Sequence, residues 1–427
     1  MTSETTWKGK AACQWYYFSV ASLKPGKYCF NILGFVKPAS LYNSGLRPYL
    51  YSKKAKIWSV VGNEVCYFKH RVVKKKNLDT FVLSFQVEFQ ASKDVVFFAY
   101  CFPFTYCDLQ SYLGALEDAS RRQNFHELKR RTLCETLQKR RCDVLKIKKK
   151  RGPDDEKVRK YIVITCRVHP GETNSSWVLK GILDFLTSNK TYSRELLSNY
   201  SVFCVPMLNP DGVVQGNYRC DSNGYDLNRV WKNPVESLHP TIYHSKMLIR
   251  KLMAKGEVEF FFDLHGHSRK QNMFAYGCPT SKKMGYRVKS VPKYPHEEKV
   301  FPYILAKICT EFSFPGCTFN TCKKKEGTAR IVNYNEGVPL SYTIEASFVG
   351  PSYDDASVIT NFDLIQYQEM GMQVCKTLYE CTQPKQTMVN AVVRELVLLA
   401  ATGQINTAGC VVAAPSLNLE PPETKAP

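Results

Sequence analysis

The stretch YIVITCRVHPGET (161–173) opens on a run of apolar and β-branched residues, then breaks into His-Pro-Gly-Glu. A short, continuously apolar run bounded by a turn suits a strand buried on both faces. Three further stretches share this design: SVFCVPMLNPDG (201–212), EFFFDLHGH (259–267) and SYTIEASF (341–348). Each joins a strand-like run to a polar residue able to meet a metal. In the first and third, the run ends where a histidine begins, and in the last Glu345 sits inside the apolar strand itself. Open α/β sheets gather reactive groups beyond the carboxyl ends of their strands, so the four stretches predict a single shared site.

Just after the first run, TNSSWVLKGILDFLTSN (173–189) has helical periodicity. Thr173 or Asn174 is expected to cap it, with Trp177, Ile182, Phe185 and Leu186 facing inward. From Asp108 onward, stretches rich in helix formers and charge (DLQSYLGALEDASRR, then HELKRRTLCETLQKRR) give way to strands alternating with amphipathic segments. A closing helix is expected over 359–381. This alternation predicts an α/β fold, a mixed central β-sheet flanked by helices, over residues 104–383. Upstream, residues 1–103 carry short aromatic and β-branched runs separated by turn residues: QWYYFSV, KYCFNILGF, TFVLSFQVEF and DVVFFAYCF. They predict a small all-β sandwich preceding the α/β domain. Residues 384–427, with one short amphipathic stretch and the Pro-rich end LEPPETKAP, are expected to form a loosely ordered tail.

Bulk composition narrows the function classes. With 427 residues and 44% hydrophobic content there is ample chain for a large core. No window has the 18 or more uninterrupted apolar residues of a membrane span, and the N-terminus lacks the pattern of a secretory signal. A soluble cytoplasmic protein is the expectation. The 17 cysteines are odd in number, scattered and without a CxxC pair, which predicts reduced thiols and neither a zinc knuckle nor a thioredoxin-like redox site. Lysine and arginine (59) exceed aspartate and glutamate (38), for a net charge of +21. That excess favours an acidic partner.

His169 and Glu172, three apart in a tight turn, can point at one ion, and His265 supplies a third ligand after an apolar strand. Two histidines and one glutamate form a ligand set for one Zn2+ with a fourth position open. Metal-binding histidines pass their other ring proton to a carboxylate or carbonyl. Asp226 and Asp263 are candidates for that role, although Asp263 reads equally well as an ordinary strand-end acid. His239, His244 and His267 read as ordinary histidines.

Taken together, HPGETNSSW, NPDGVVQGNYRC, GYDLNRVW, FFDLHGH and TIEASF resemble the signatures of zinc metallocarboxypeptidases. More narrowly they resemble the cytosolic carboxypeptidase branch, whose members remove glutamates from tubulin tails. SLYNSGLRPYLYS (40–52) and FAYCFPFTYCDLQSYL (98–113) resemble that branch's accessory β-domain and its junction, so the likeness spans most of residues 14–382. The resemblance implies that His169, Glu172 and His265 are the zinc ligands and that Asp226 supports the first histidine. It implies Glu345 as general base and then general acid, Arg219 as the oxyanion stabiliser, and Asn228 with Arg229 as the clamp on the substrate's terminal carboxylate. Arg330, fifteen residues before Glu345, matches the position that lines the pocket for the last side chain. An arginine there pairs with a γ-carboxylate and is left unpaired by apolar or basic side chains. The implied substrate is C-terminal (poly)glutamate on acidic protein tails such as tubulin's, met in the cytoplasm, on microtubules or in cilia and flagella. Nucleic acid is not the expected partner. Two other readings remain: a zinc amidohydrolase of small N-acyl amino acids, and a basic microtubule- or nucleic-acid-binding protein with a vestigial site. The branch carries a further β segment where this chain has thirteen residues before Gln14, so its N-terminal sheet is expected to be one segment short.

Overall fold

The computed structural model describes residues 12–75, 78–90, 92–150, 160–279, 292–350 and 361–405. The chain opens with β1 (Tyr17–Val20), β2 (Gly26–Phe35), β3 (Tyr49–Ser52), β4 (Ile57–Val60), β5 (Asn63–Lys75), β6 (Leu78–Phe89) and β7 (Val96–Ala99). These build a four-stranded antiparallel sheet in the order β1-β7-β3-β4 and a three-stranded one in the order β2-β6-β5. Aromatic side chains close the space between the sheets: Phe98 of β7 lies 4.7 Å from Phe30 and 5.6 Å from Phe85, ring centre to ring centre. Such pairs bury large apolar area in fixed geometry, giving the expected antiparallel β region before the α/β fold. The strands β4 and β5 had no distinct signal in the sequence.

Helix α1 (Tyr106–Arg121) follows, with Thr105 and Asp108 forming a reciprocal cap at its start. Next come β8 (His126–Glu135), β9 (Arg141–Lys149), β10 (Lys160–Cys166), α2 (Thr173–Leu186), α3 (Thr191–Asn199), β11 (Ser201–Val205), α4 (Pro210–Gln215) and α5 (Pro240–Met253). The chain continues through β12 (Glu257–His267), β13 (Met273–Tyr276), α6 (Glu297–Ile308), α7 (Ala329–Glu336), β14 (Leu340–Ser347), α8 (Leu364–Thr382) and α9 (Thr387–Ala401). Strands β8 to β14 form one seven-stranded mixed sheet, ordered β13-β14-β12-β10-β11-β9-β8. Its centre (β14, β12, β10, β11) is parallel and its edges are antiparallel. The chain leaves β10 toward β11 on one side, then returns to place β12 on the other. That reversal opens a crevice at the carboxyl ends of β10 and β12, where α/β sheets bind ligands.

The central strands are largely apolar and buried because helices cover both faces. Along β12, Phe260 and Phe262 enter one buried cluster and Phe261 the other. Helices α2 and α8 approach so closely that a Cβ at Gly371 would lie 2.0 Å from the Val178 carbonyl oxygen, so only glycine fits there.

Three local expectations are corrected. HELKRRTLCE, for all its helix formers, is strand β8: a tight turn brings Thr136 N to Arg140 O at 2.8 Å, and pairing with β9 follows. Arg130 then ion-pairs with buried Asp143 at 2.9 Å and with Glu117 of α1, so tertiary partners override local preference. Neither Thr173 nor Asn174 caps α2. Glu172 occupies that position, and its carboxylate is used elsewhere. The stretch from 384 is not loose as far as Ile405. Helix α9 buries Val389, Val392 and Leu396 against the core, and Lys307 of α6 pairs with Glu395 at 2.9 Å. Its amphipathic spacing found an apolar surface to cover. The remaining part of that stretch, 406–427, lies outside the described residues, as do 359 and 360 of the expected closing helix, whose observed start is Leu364. Among the described residues no helix is long and apolar enough to cross a membrane.

Candidate active site

At the end of β10 the chain turns sharply. Arg167 adopts a left-handed conformation (φ 57°) and is buried, and among the described residues no carboxylate lies within ion-pair distance of it. Its guanidinium instead donates to the carbonyl of Pro170 at 2.7 Å, to that of Phe104 at 3.1 Å and to Ser176 Oγ at 2.8 Å. Gly171 N donates to Tyr218 O at 2.8 Å. These bonds fix the turn that presents His169 and Glu172. His265 needs no such turn, because it lies on β12 beside Glu345 of β14 in register.

The three candidate ligands converge. His169 Nδ1 lies 2.8 Å from one Glu172 oxygen and His265 Nδ1 lies 3.0 Å from the other. Together they form a buried group whose ligand atoms lie within 4.8 Å of one another. Gly266 N donates to the same Glu172 oxygen at 3.0 Å, and a Cβ on Gly266 would strike Asn174 Oδ1 at 2.2 Å. Asn174 itself donates to the carbonyls of Ala346 and Ser347, tying α2 to the end of β14.

The far ring nitrogens are also engaged. His169 Nε2 meets Asp226 Oδ1 at 3.2 Å, and His265 Nε2 meets Asp263 Oδ2 at 2.7 Å. With both Nε2 atoms held by carboxylates, both Nδ1 atoms aim at the Glu172 carboxylate. Two ring nitrogens facing one anion need a positive charge among them, either protons on the rings or a metal ion bound by their lone pairs. The donor set, two imidazoles and one carboxylate, therefore fits Zn2+. The electrostatics agree: despite the cost of burial, the two histidines hold the Glu172 carboxyl well below the usual glutamate range. Burial opposes charge on His265 too, yet Asp263 and Glu172 raise its pKa well above normal.

A cleft of about 1240 Å³ opens over this centre. Glu345 lines it, and burial, with Glu172 nearby, raises its pKa above the usual range against the pull of His265. Arg219 lines it too, with Nε and Nη2 both 2.8 Å from Asp226 Oδ2. Burial penalises the charge of both partners, but each stabilises the other, so Asp226 stays low and Arg219 high. Arg229 faces the cleft, its pKa lowered by burial and by Arg219. Asn228 is turned further in: its Oδ1 accepts from Ala329 N at 3.0 Å and its Nδ2 lies 3.2 Å from His265 Nε2. Arg330 is buried in the cleft wall, where Nη1 donates to the Gly277 carbonyl and lies 3.3 Å from Cys278 Sγ. Of the four stretches, the second contributes no ligand. Asn209 caps α4, and Asp211 accepts from Thr136 Oγ1 at 2.7 Å and Arg140 at 2.9 Å.

A family model described as zinc carboxypeptidase matches residues 119–361, more than half of the sequence. The chain belongs to the zinc carboxypeptidase family. It is 38% identical to cytosolic carboxypeptidase 3 of Bos taurus over 390 residues, covering 90% of this chain and 38% of that protein. The Mus musculus protein of the same name is 40% identical over 90% of this chain and 38% of its own length. Cytosolic carboxypeptidase 2 of Homo sapiens is 38% identical over 90% of this chain and 42% of its own. The chain thus spans about two fifths of the length of these relatives. Its fold is similar to a metallo-carboxypeptidase from Pseudomonas aeruginosa, solved with (2-guanidinoethylmercapto)succinic acid (TM-score 0.65, 22% identity, 86% of this chain and 89% of that one). A metallo-carboxypeptidase from Burkholderia cenocepacia gives the same TM-score and coverage at 18% identity.

Within this zinc carboxypeptidase fold, the structure decides between the two readings of Asp263 and adds cleft residues that the sequence did not single out. Asp263 is no mere strand-end acid: Thr165 Oγ1 holds its Oδ1 at 2.7 Å while Oδ2 takes His265. Lys325 is the last of three consecutive lysines, with nothing in the sequence to set it apart. A short 3-10 turn, Lys323–Lys325, sets its lysines along the cleft rim, where partial desolvation and Arg229 lower the pKa of Lys325 and Glu345 lies within electrostatic reach. Tyr276 stands under it, 5.9 Å from Nζ to ring centre. His267 also lines the cleft; its Nδ1 accepts from Lys270 N at 2.9 Å, and burial and Lys270 push its pKa down to about 4. His239 and His244 do not line the cleft.

Proposed function

We propose that this chain is a zinc-dependent carboxypeptidase that releases glutamate from the C-termini of acidic protein tails, tubulin's among them. One observation carries the reading: the His169–Glu172–His265 cluster, Glu345 and the cations Arg219, Arg229, Lys325 and Arg330 all line one cleft. Zinc held by His169 Nδ1, Glu172 and His265 Nδ1 would supply Lewis-acid polarisation of the scissile carbonyl and acidify a water molecule. Glu345 accepts the proton of the attacking water and returns it to the leaving amine, a role its raised pKa suits. Arg219, aligned by Asp226, donates to the developing oxyanion. Arg229, with Asn228 beside it, receives the terminal carboxylate in two-point geometry.

The substrate side chain meets Arg330, Lys325 and Tyr276. Two cations around one pocket repel each other until a carboxylate arrives, which favours glutamate over apolar or basic residues. The net charge of +21 speeds encounter with acidic tails. Relatives named cytosolic carboxypeptidases support a protein substrate and a cytoplasmic setting, and a tubulin substrate would place the enzyme on microtubules or in cilia. The size of the cleft favours a polypeptide over a small N-acyl amino acid.

The test is direct. Purified protein should hold one zinc and release free glutamate from a peptide ending in several glutamates. Glu345→Gln should keep the metal and lose roughly 10²–10⁴-fold in rate. Metal-loaded protein that frees nothing from any acidic tail overturns the reading.

A further inference from the structure

The N-terminal β region reaches into the cleft at one cation. Lys37, in the loop after β2, is half-buried on the cleft wall. Its Nζ donates to Ser268 Oγ at 2.9 Å and to Tyr218 OH at 3.1 Å, and lies 4.6 Å from the Tyr218 ring centre. Both acceptors are hydroxyls, so neither neutralises the charge. Among the described residues no carboxylate comes within ion-pair distance of it. An ammonium has three donors, and two are used.

This lysine is also held in place. Tyr67 OH, from β5, donates to the Lys37 carbonyl at 2.6 Å, and Ser268 is buried at the exit of β12. A cation fixed before binding loses little entropy when a ligand arrives. Its position gives the ligand's place. Arg330, Lys325 and Tyr276 wall the pocket for the last side chain, with Arg229 for the terminal carboxylate. A peptide seated there must leave along another wall, and Lys37, Tyr218 and Ser268 line one.

We propose that Lys37, with Tyr218 and Ser268, forms a subsite for the carboxylate of an acidic side chain upstream of the scissile bond. The N-terminal β region thereby reads part of the substrate. The inference rests on the proposed glutamate-releasing activity, so its test has a catalytic arm and a binding arm. Hexapeptides ending in glutamate are compared, each with one upstream Glu replaced by its isostere Gln. In the wild type, one such replacement should lower kcat/KM roughly tenfold, the worth of a charge-assisted hydrogen bond. Lys37→Met should show the same loss on the all-Glu peptide and be indifferent to that replacement, while Lys37→Arg keeps most of the discrimination.

If Lys37→Met slows every peptide equally, including one with no upstream acid, the lysine is only a tether between β region and sheet, and the proposal is overturned. It is equally overturned if Lys37→Met changes nothing. Should the wild type release no glutamate at all, the activity reading fails alone. Calorimetric affinities of the same peptides for wild type and Lys37→Met then decide the subsite, with the same tenfold difference required. Thermal unfolding of each variant guards against misfolding.

Discussion

His169 and His265 meet at one point by opposite routes. His265 is a strand residue: its orienting carboxylate, Asp263, lies two positions earlier on the same face of β12, and Thr165 of the neighbouring strand locks it. His169 stands beyond the end of β10 in a turn, and its partner Asp226 arrives from 57 residues further along. The sheet orients the first ligand, so its geometry is as rigid as the ladder. The second depends on separate hydrogen bonds made by loops, each of which can be removed alone. A ligand on a regular element is aligned by the element, whereas one on a turn is aligned by its neighbours.

Glu172 touches both routes, so its loss should cost most. Glu172→Gln leaves two imidazoles and a neutral amide. Zinc retained after gel filtration should fall by more than the roughly 10–100-fold that loss of an outer partner costs, and peptide hydrolysis should fall to background. Metal content measured beside turnover checks this. A variant that kept its zinc would break the convergence on which the comparison stands.

The two outer carboxylates separate the routes. Asp263→Asn should weaken zinc by roughly 10–100-fold, yet reach near-wild-type kcat once zinc is saturating. Asp226→Asn should weaken zinc in the same range and also lower kcat at saturation, because Arg219 loses the carboxylate that aligns both its Nε and Nη2. Zinc titrations of turnover on both variants test the split. Equal kcat at saturation would mean that Asp226 serves only the metal.

Arg167 is specific to the turn route. Its fork bridges Pro170 O, Phe104 O and Ser176 Oγ, a geometry a lysine ammonium does not reproduce. Arg167→Lys should weaken zinc by about three- to tenfold, a fraction of what losing an outer carboxylate costs. Pairing it with Asp263→Asn sharpens the contrast, since independent routes give additive losses.

The same division explains what the sequence disclosed. The strand-borne pieces were legible because a buried parallel strand leaves an apolar signature, and His265 or Glu345 interrupts it visibly. The mixed sheet, the preceding β region and helices α2 and α8 follow from such periodicity. Of the loop-borne pieces, HPGE was legible because it directly ends such a strand, whereas Lys325 and Lys37 carried no local signal. Nothing in KKKEGTAR shows that its three lysines border the cleft, or that Lys325 lies over Tyr276, until the fold brings the 3-10 turn there. Lys37 reads as a surface lysine until Tyr218 and Ser268 come together from far along the chain. Strand β8 and helix α9 misled for a related reason, since their final state depends on β9, α6 and α8 as tertiary partners.

The turn route should also carry a pH liability that the strand route lacks. Asp221 shapes the loop between Arg219 and Asp226, accepting from Asn223 N at 3.0 Å and Tyr225 N at 2.7 Å. Burial, with Asp211 nearby, raises its pKa to about 6 even though those amides pull it down. The His239 ring lines the same small cavity. An unfolded aspartate titrates near ~3.9, so the folded chain holds this proton more tightly. Its stabilising contribution is complete below about pH 4 and is lost as pH rises through about 6. Asp221→Asn keeps an acceptor for both amides and never ionises. The variant should therefore gain roughly 2–4 °C in Tm over the wild type between pH 4.5 and 7, with zinc saturating throughout. A difference in Tm that stays flat across that range would show that the loop bringing Asp226 to His169 folds independently of this proton.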